Sequence, residues 1–249
     1  MAAVARVALV TGGNRGIGLA VCRGLARAGL RVILTGRDEA QLRVAQNQLR
    51  DEGLKVWTIE LDVTDPRMLE PPKDLNVSFI ADWVQRQFGR LDVLVNNAGV
   101  VPDAAAFDAT QDSIIDMPTD ALALGMQTHF HGPLALIRAL LPLMRLNHYG
   151  RIVNVSTQMA SLANMRKGWP AYRVSKLAQN ALTRMLADEL EGSNILVNAA
   201  SPGWVHTRMG GKEAPLDPDQ GADTLLWLAT LPDGGPSGGF FEARAVKPW

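Results

Sequence analysis

Thr11-Gly12-Gly13-Asn14-Arg15-Gly16-Ile17-Gly18 follows directly on the apolar run Val7-Ala8-Leu9-Val10, and this stretch decides the fold. An apolar run, a glycine-rich turn and a helix start in succession describe a pyrophosphate seat. Glycines without Cβ let the backbone approach phosphates, and the free N–H groups of a first helical turn favour negative charge. The spacing Gly-x3-Gly-x-Gly differs from the usual G-x-G-x-x-G, and glycines also gather in ordinary turns. Context separates the two readings. Ile17, Leu19-Ala20-Val21, Leu25 and Ala28 keep a helical rhythm up to Gly29, and Val32-Ile33-Leu34 reads as a second buried strand. The resulting βαβ unit predicts a nucleotide cofactor.

At 249 residues with 47% hydrophobic content, the chain can bury one large core, so a single α/β domain over 1–249 is expected. The 25 basic and 25 acidic side chains balance. That balance gives no electrostatic case for nucleic acid or an anionic membrane as partner, and a small neutral or polar ligand fits better. Cys22 is the only cysteine. It excludes an intrachain disulfide and a cysteine metal cluster, it reads as core packing, and no metal site is expected. The first strand begins almost at Met1, and no apolar run approaches the ~18 residues of a membrane span, so a cytoplasmic chain is expected.

Apolar runs with the length of buried strands recur at 7–10, 32–35, 56–61, 93–95, 152–155 and 195–200, with Phe240-Phe241 a last strand. Between them, Leu42, Ala45 and Leu49 share a helical face, as do Ile80, Trp83 and Val84; 121–146 is long enough for a helix kinked at Gly132-Pro133. This alternation implies a doubly wound parallel sheet flanked by helices, with ligands at the carboxyl ends of the strands. Three segments break the pattern as surface loops: Pro66 to Val77, Val100 to Pro118 and Trp204 to Gln220. The second and third follow strands and are placed to cover the cleft; the first reads as an insertion.

Tyr172 and Lys176 stand four apart in a segment where Leu177, Ala181, Leu182 and Leu186 keep helical spacing, so both project from one face. A free phenol has a pKa near ~10, too high for easy proton transfer, and a fixed ammonium nearby stabilises the phenolate. Tyr172 is thereby a candidate general acid/base. With two tyrosines and six lysines in the chain, a Tyr-x3-Lys pair arises by accident about once in twenty such sequences. Upstream, Ile152-Val153-Asn154-Val155 ends in Ser156-Thr157, which puts two hydroxyls at the carboxyl end of a strand, either as hydrogen-bond donors to a substrate oxygen or as a satisfied strand end.

Together these residues resemble the short-chain dehydrogenase/reductase superfamily over nearly the whole chain, and within it the carbonyl reductases. Thr11–Gly18 matches the family's T-G-x-x-x-G-x-G turn, Asn96-Asn97-Ala98-Gly99 its N-N-A-G, Tyr172-x3-Lys176 its active-site pair, and Ser201-Pro202-Gly203-Trp204-Val205 its P-G segment. The closing Gly-Pro-x-Gly-Gly-Phe-Phe and Trp249 resemble the carbonyl-reductase branch. The resemblance implies a Rossmann-type fold and reduction of an aldehyde, ketone or quinone to an alcohol. Nicotinamide C4 would deliver hydride while Tyr172 protonates the oxygen, and Lys176 would bind the ribose hydroxyls and lower the Tyr172 pKa. Thr157 stands where the family has its catalytic serine, and His129 where it has a helix asparagine that shapes a proton path. An imidazole with a pKa near ~6.5 relays protons or simply fills the core.

The resemblance also assigns the cofactor wall. Gly12, Asn14, Arg15, Gly16, Ile17 and Gly18 would seat the pyrophosphate, Asp62 would contact the adenine and Asn97 to Gly99 the adenosine ribose, with Val63, Pro202, Gly203, Val205 and Thr207 as further cofactor contacts. After the second strand Thr35-Gly36-Arg37 offers a guanidinium and no acidic residue for a ribose 2′-hydroxyl, so Arg37 with Arg15 points to the 2′-phosphate of NADP(H). Thr157, Met159, Trp169, Tyr172 and Trp204 are the expected substrate contacts, and Met165, His206 and Met209 belong to the same apolar, adaptable pocket. The competing reading is an NADP-binding sensor silenced by the Thr157 and His129 changes, against which Tyr172 argues, since a binder has little use for its hydroxyl. A homodimer or homotetramer is expected through the helices at 121–146 and 171–191, with Ala135, Leu136, Ala139, Ala178 and Leu182 at the contact.

Overall fold

The computed structural model describes residues 5–65, 67, 79–103 and 113–249. One eight-stranded sheet runs in the order β3-β2-β1-β4-β5-β6-β7-β8. Its strands are β1 (Val7–Val10), β2 (Arg31–Gly36), β3 (Val56–Glu60), β4 (Val93–Asn96), β5 (Gly150–Val155), β6 (Ile195–Ala200), β7 (Phe240–Glu242) and β8 (Ala245–Val246). All neighbours pair in parallel except β7 and β8, which are antiparallel. The order reverses between β1 and β4, and a doubly wound sheet places its ligand crevice at such a switch point.

The strands are apolar on both faces because helices cover both. In β1, Val7 and Leu9 join a core with residues of α3 (Phe79–Phe88), α5 (Gly132–Leu146) and α6 (Pro170–Glu189). Ala8 and Val10 point the other way, into a core with α1 (Gly16–Arg27), α2 (Glu39–Asp51) and α7 (Pro218–Ala229). Cys22 is buried in that second layer, where burial pushes its thiol pKa up. Among the described residues no helix is long and apolar enough to cross a membrane.

Three expectations need correcting, and one strand was not expected. The segment 121–146 bends through a different device: α4 (Thr119–Met126) passes into a π turn over Gln127–His131 and then into α5. Pro133 has no N–H for the carbonyl of His129, and the Gly132 N–H reaches back five residues to Gln127 O. The loop expected to run to Gln220 stops at Asp217, whose carboxylate starts α7 through a capping box with Gln220. β8 was unforeseen; it returns from β7 through Ala243 and Arg244, both at positive φ, with Arg244 tied to Asp223 and Thr224. Leu136 and Leu182, expected at a subunit contact, are 0% and 8% exposed and pack into the sheet-facing core. The loop at 66–77, apart from residue 67, and positions 104–112 of the second loop lie outside the described residues.

Candidate active site

Two turns close the carboxyl ends of β1 and β4 onto each other. Thr11 Oγ1 accepts from the N–H groups of Asn97 and Ala98 (both 2.9 Å), and Asn97 Nδ2 donates to Thr11 O (2.8 Å) and Gly12 O (3.2 Å). The glycines are demanded by this closeness. A Cβ on Gly18 would stand 2.2 Å from Gly12 O, and Gly12 itself has φ +62°. The turn ends at α1, whose first N–H groups have no side-chain cap, so an anion can take them.

Around this seat opens a cleft of about 720 Å³. Gly12, Asn14, Arg15, Gly16, Ile17 and Gly18 form one wall, Arg37, Asp62 and Val63 the next, and Asn97, Ala98 and Gly99 the floor. Tyr172, Lys176, Pro202 and Thr207 close the far end. Asp62 is fixed by accepting from Thr64 N (2.9 Å) and Thr64 Oγ1 (2.7 Å). Gly203 and Val205 do not line the cleft: Val205 is buried and bridges to Leu216.

At the reacting end, Ser156 and Thr157 part company. Ser156 Oγ donates to Asn180 Oδ1 (2.6 Å) inside the fold, whereas Thr157 hydrogen-bonds the Tyr172 side chain and accepts from Met159 N (3.2 Å). Burial pushes the Tyr172 phenol up to about 12, with the Thr157 bond pulling the other way. Burial also drives the Lys176 ammonium down to about 7. Lys176 Nζ donates to Val155 O (2.5 Å) and Gln179 Oε1 (3.1 Å). Desolvation therefore sets the direction of the Tyr172 shift, and the lowering by Lys176 that the resemblance implies does not show in it.

His129 is fully buried on the π turn, its ring edge-on to Tyr172 at 5.7 Å. Nε2 accepts from the Val100 N–H (3.1 Å), which leaves the ring proton on Nδ1 to donate to Ser175 Oγ (2.9 Å); Ser175 passes its own proton to Ala171 O (2.6 Å). Burial, and then the nearby Lys176 charge, hold His129 down at about 2. Both ring nitrogens are hydrogen-bonded and burial holds the imidazole neutral, the arrangement of the second alternative, a histidine satisfied in the core.

Thr157, Met159, Trp169 and Trp204 stand outside the cleft wall, on which Ser156 lies instead. Trp169 precedes α6 at φ +59°, and Trp204 is exposed, its Nε1 donating to Gly210 O (2.7 Å). Asp103 escaped the sequence reading. Its Oδ1 accepts from Ala171 N (3.1 Å) and its Oδ2 from Tyr172 N (2.9 Å), capping α6 from 68 residues away. No local pattern announces so distant a cap. Arg208 on the cleft wall was also missed, since its segment reads only as loop.

Comparison with known proteins agrees with this layout. The short chain dehydrogenase family model matches residues 6–216. Carbonyl reductase (NADPH) 1 of Mus musculus is 34% identical over 289 aligned positions, covering 98% of each chain. The salutaridine reductase structure from Papaver somniferum is 30% identical at TM-score 0.79, covering 95% of this chain and 99% of that one. A carbonyl reductase structure from chicken fatty liver with NADPH bound is 26% identical at TM-score 0.82, covering 98% and 99%. The glycine seat, the N-N-A-G floor and the Tyr172-Lys176 pair, matched in sequence along most of the chain and in backbone from end to end, place it in the short-chain dehydrogenase family.

Proposed function

We propose that the chain is an NADP(H)-dependent oxidoreductase that reduces an aldehyde, ketone or quinone to the alcohol, with Tyr172 as proton donor. The observation that carries the reading is a single cleft joining the glycine seat and unpaired Arg15 and Arg37 to Tyr172 and Lys176. The residues present fit the cofactor: Gly18 leaves room for close backbone approach, and Arg15 and Arg37 form no ion pair among the described residues. When bound, the reduced nicotinamide supplies the hydride. The named carbonyl reductases, one of them solved with NADPH, support the same chemistry.

The residues divide the remaining work. With a pKa near 12 the Tyr172 phenol is protonated at neutral pH, the state a proton donor needs. Thr157 holds its oxygen and offers a hydroxyl at the same point, so replacing serine by threonine preserves a donor. In its ammonium form, which with a pKa of about 7 gives way to the neutral amine as pH rises through neutrality, Lys176 donates two of its three protons to Val155 and Gln179, leaving one for ribose hydroxyls and a positive charge to meet the phenolate formed in turnover. His129 is a positioning residue that ties the Val100 backbone to α6 through Ser175. The expected substrate contacts Met159, Trp169 and Trp204 act, if at all, from outside the present wall; Met209 and His206, on it, are better placed.

A homodimer or homotetramer in the cytoplasm belongs to the same proposal. Exposed Leu124, Leu146 and Met185 on α4, α5 and α6 support the assembly in place of Leu136 and Leu182. Light scattering at the 26.9 kDa monomer mass would contradict it.

The test is loss of NADPH absorbance across a panel of carbonyl compounds, run beside Arg37→Ala. Turnover with at least one member is expected. Arg37→Ala should weaken NADPH by ~10- to 100-fold, the range of one lost charge-assisted contact, and leave NADH nearly unchanged. No turnover across the panel, or an unchanged cofactor preference, would overturn the assignment.

A further inference from the structure

The loop after β6 carries a cation that neither the glycine turn nor the end of β2 supplies. Arg208 shares the cleft wall with Arg15 and Arg37. Its neighbour Thr207 lies over the start of α1, since a Cβ on Gly16 would stand 3.3 Å from Thr207 Cγ2. The loop is built and held there. Gly210 N donates to Thr207 Oγ1 (3.0 Å), Trp204 Nε1 to Gly210 O (2.7 Å) and His206 N to Leu216 O (2.7 Å). Arg208 is thereby held on the cleft wall near Arg15, and its charge acts on Arg15 more strongly than that of Arg37 does.

The three guanidiniums share the cleft with Asp38 and Asp62 but, among the described residues, form an ion pair with neither. Among the described residues none of them forms a salt bridge, whereas Arg23, Arg27, Arg43 and Arg86 all do. The carboxylates on the same wall are committed elsewhere: Asp38 accepts from Gln41 N (3.1 Å) and Gln41 Nε2 (2.9 Å), and Asp62 from Thr64. Like charges gathered without a counter-ion repel, and a multivalent anion bound among them relieves that repulsion. Arg37 stands at the end of β2, where a 2′-phosphate is read, while Arg208 directly follows Thr207, which packs on the start of α1, where a pyrophosphate sits.

We propose that Arg208 is a pyrophosphate clamp, gripping the cofactor's two linked phosphates from the loop side, opposite the α1 N-terminus. It is an affinity residue that does not discriminate between cofactors, because the pyrophosphate is common to NADPH and NADH. The inference rests on the NADP(H) reading above and assigns it a residue outside the glycine turn. Arg208 is exposed, so its removal leaves the core intact.

Equilibrium binding, by calorimetry or by nicotinamide fluorescence, tests it without turnover. Wild type, Arg208→Ala and Arg37→Ala are titrated with NADPH, NADH and 2′-AMP, the last of which lacks a pyrophosphate. Arg208→Ala should weaken NADPH and NADH by the same factor, about tenfold, and leave 2′-AMP unchanged. Arg37→Ala should weaken NADPH and 2′-AMP but not NADH. An Arg208→Ala protein with unaltered affinities, or one that loses NADPH and 2′-AMP while keeping NADH, would overturn the clamp. Wild-type protein that bound neither dinucleotide would instead overturn the NADP(H) reading itself, and the clamp with it.

Discussion

His129 is held neutral by burial, and that has a consequence for stability. Its folded pKa lies near 2 against an ordinary 6.5. Above pH 6.5 neither the folded nor the unfolded chain protonates it. Below that pH the unfolded chain takes up a proton that the folded chain refuses, so stability falls as pH falls, by up to ~1.4 kcal/mol per pH unit. Between pH 7.5 and 4.5 wild type should therefore lose ~2 to 3 kcal/mol more than His129→Asn, which carries no titrating ring. Urea unfolding at the two pH values measures this. Equal losses would show that His129 titrates freely and is not locked between Val100 and Ser175. The sequence marked position 129 as a departure from its family, but only tertiary packing decides whether an imidazole titrates.

At the scale of elements, α6 is the part on which the reacting groups depend, and its start is secured from outside. Trp169 offers no cap and Pro170 has no N–H, so the next donors, Ala171 N and Tyr172 N, fall to Asp103. Asp103 is a positioning residue, linking the loop after β4 to the backbone of Tyr172. Asp103→Ala should cost ~1 kcal/mol of stability, the worth of a lost cap, and lower kcat more than it raises the carbonyl KM. Asp103→Asn, which keeps one of the two acceptors, should recover part of both. Unchanged kcat in Asp103→Ala would refute the link. Strands and helices with strong periodicity were legible to within two residues, because burial on both faces writes continuous apolar runs. The π turn was not, since it follows from the missing Pro133 N–H together with close packing of Gly132 on Val63 O. The Asp103 cap and β8 were not either: both depend on residues that meet only after folding.

The whole molecule is built on a sheet whose order reverses between β1 and β4, with the glycine turn, Tyr172 and Lys176 brought by different elements to one cleft at the carboxyl ends of its strands. The sequence revealed the seat, the floor and the Tyr172-Lys176 pair because each is contiguous or lies on one helix face. It misplaced the substrate wall, where Met159, Trp169 and Trp204 are near Tyr172 or Pro202 in sequence yet stand off the cleft. The central claim is that Tyr172 gives the proton while hydride comes from NADPH. The most direct measurement uses NADPH deuterated at the transferred position of C4 and a carbonyl compound that the enzyme turns over, with the alcohol analysed by mass spectrometry. Wild type should yield alcohol carrying one deuterium on the carbinol carbon. Tyr172→Phe should bind the cofactor with unchanged affinity and form that product at least ~10²-fold more slowly. Undeuterated alcohol from wild type, or full-rate turnover by Tyr172→Phe, would contradict the account.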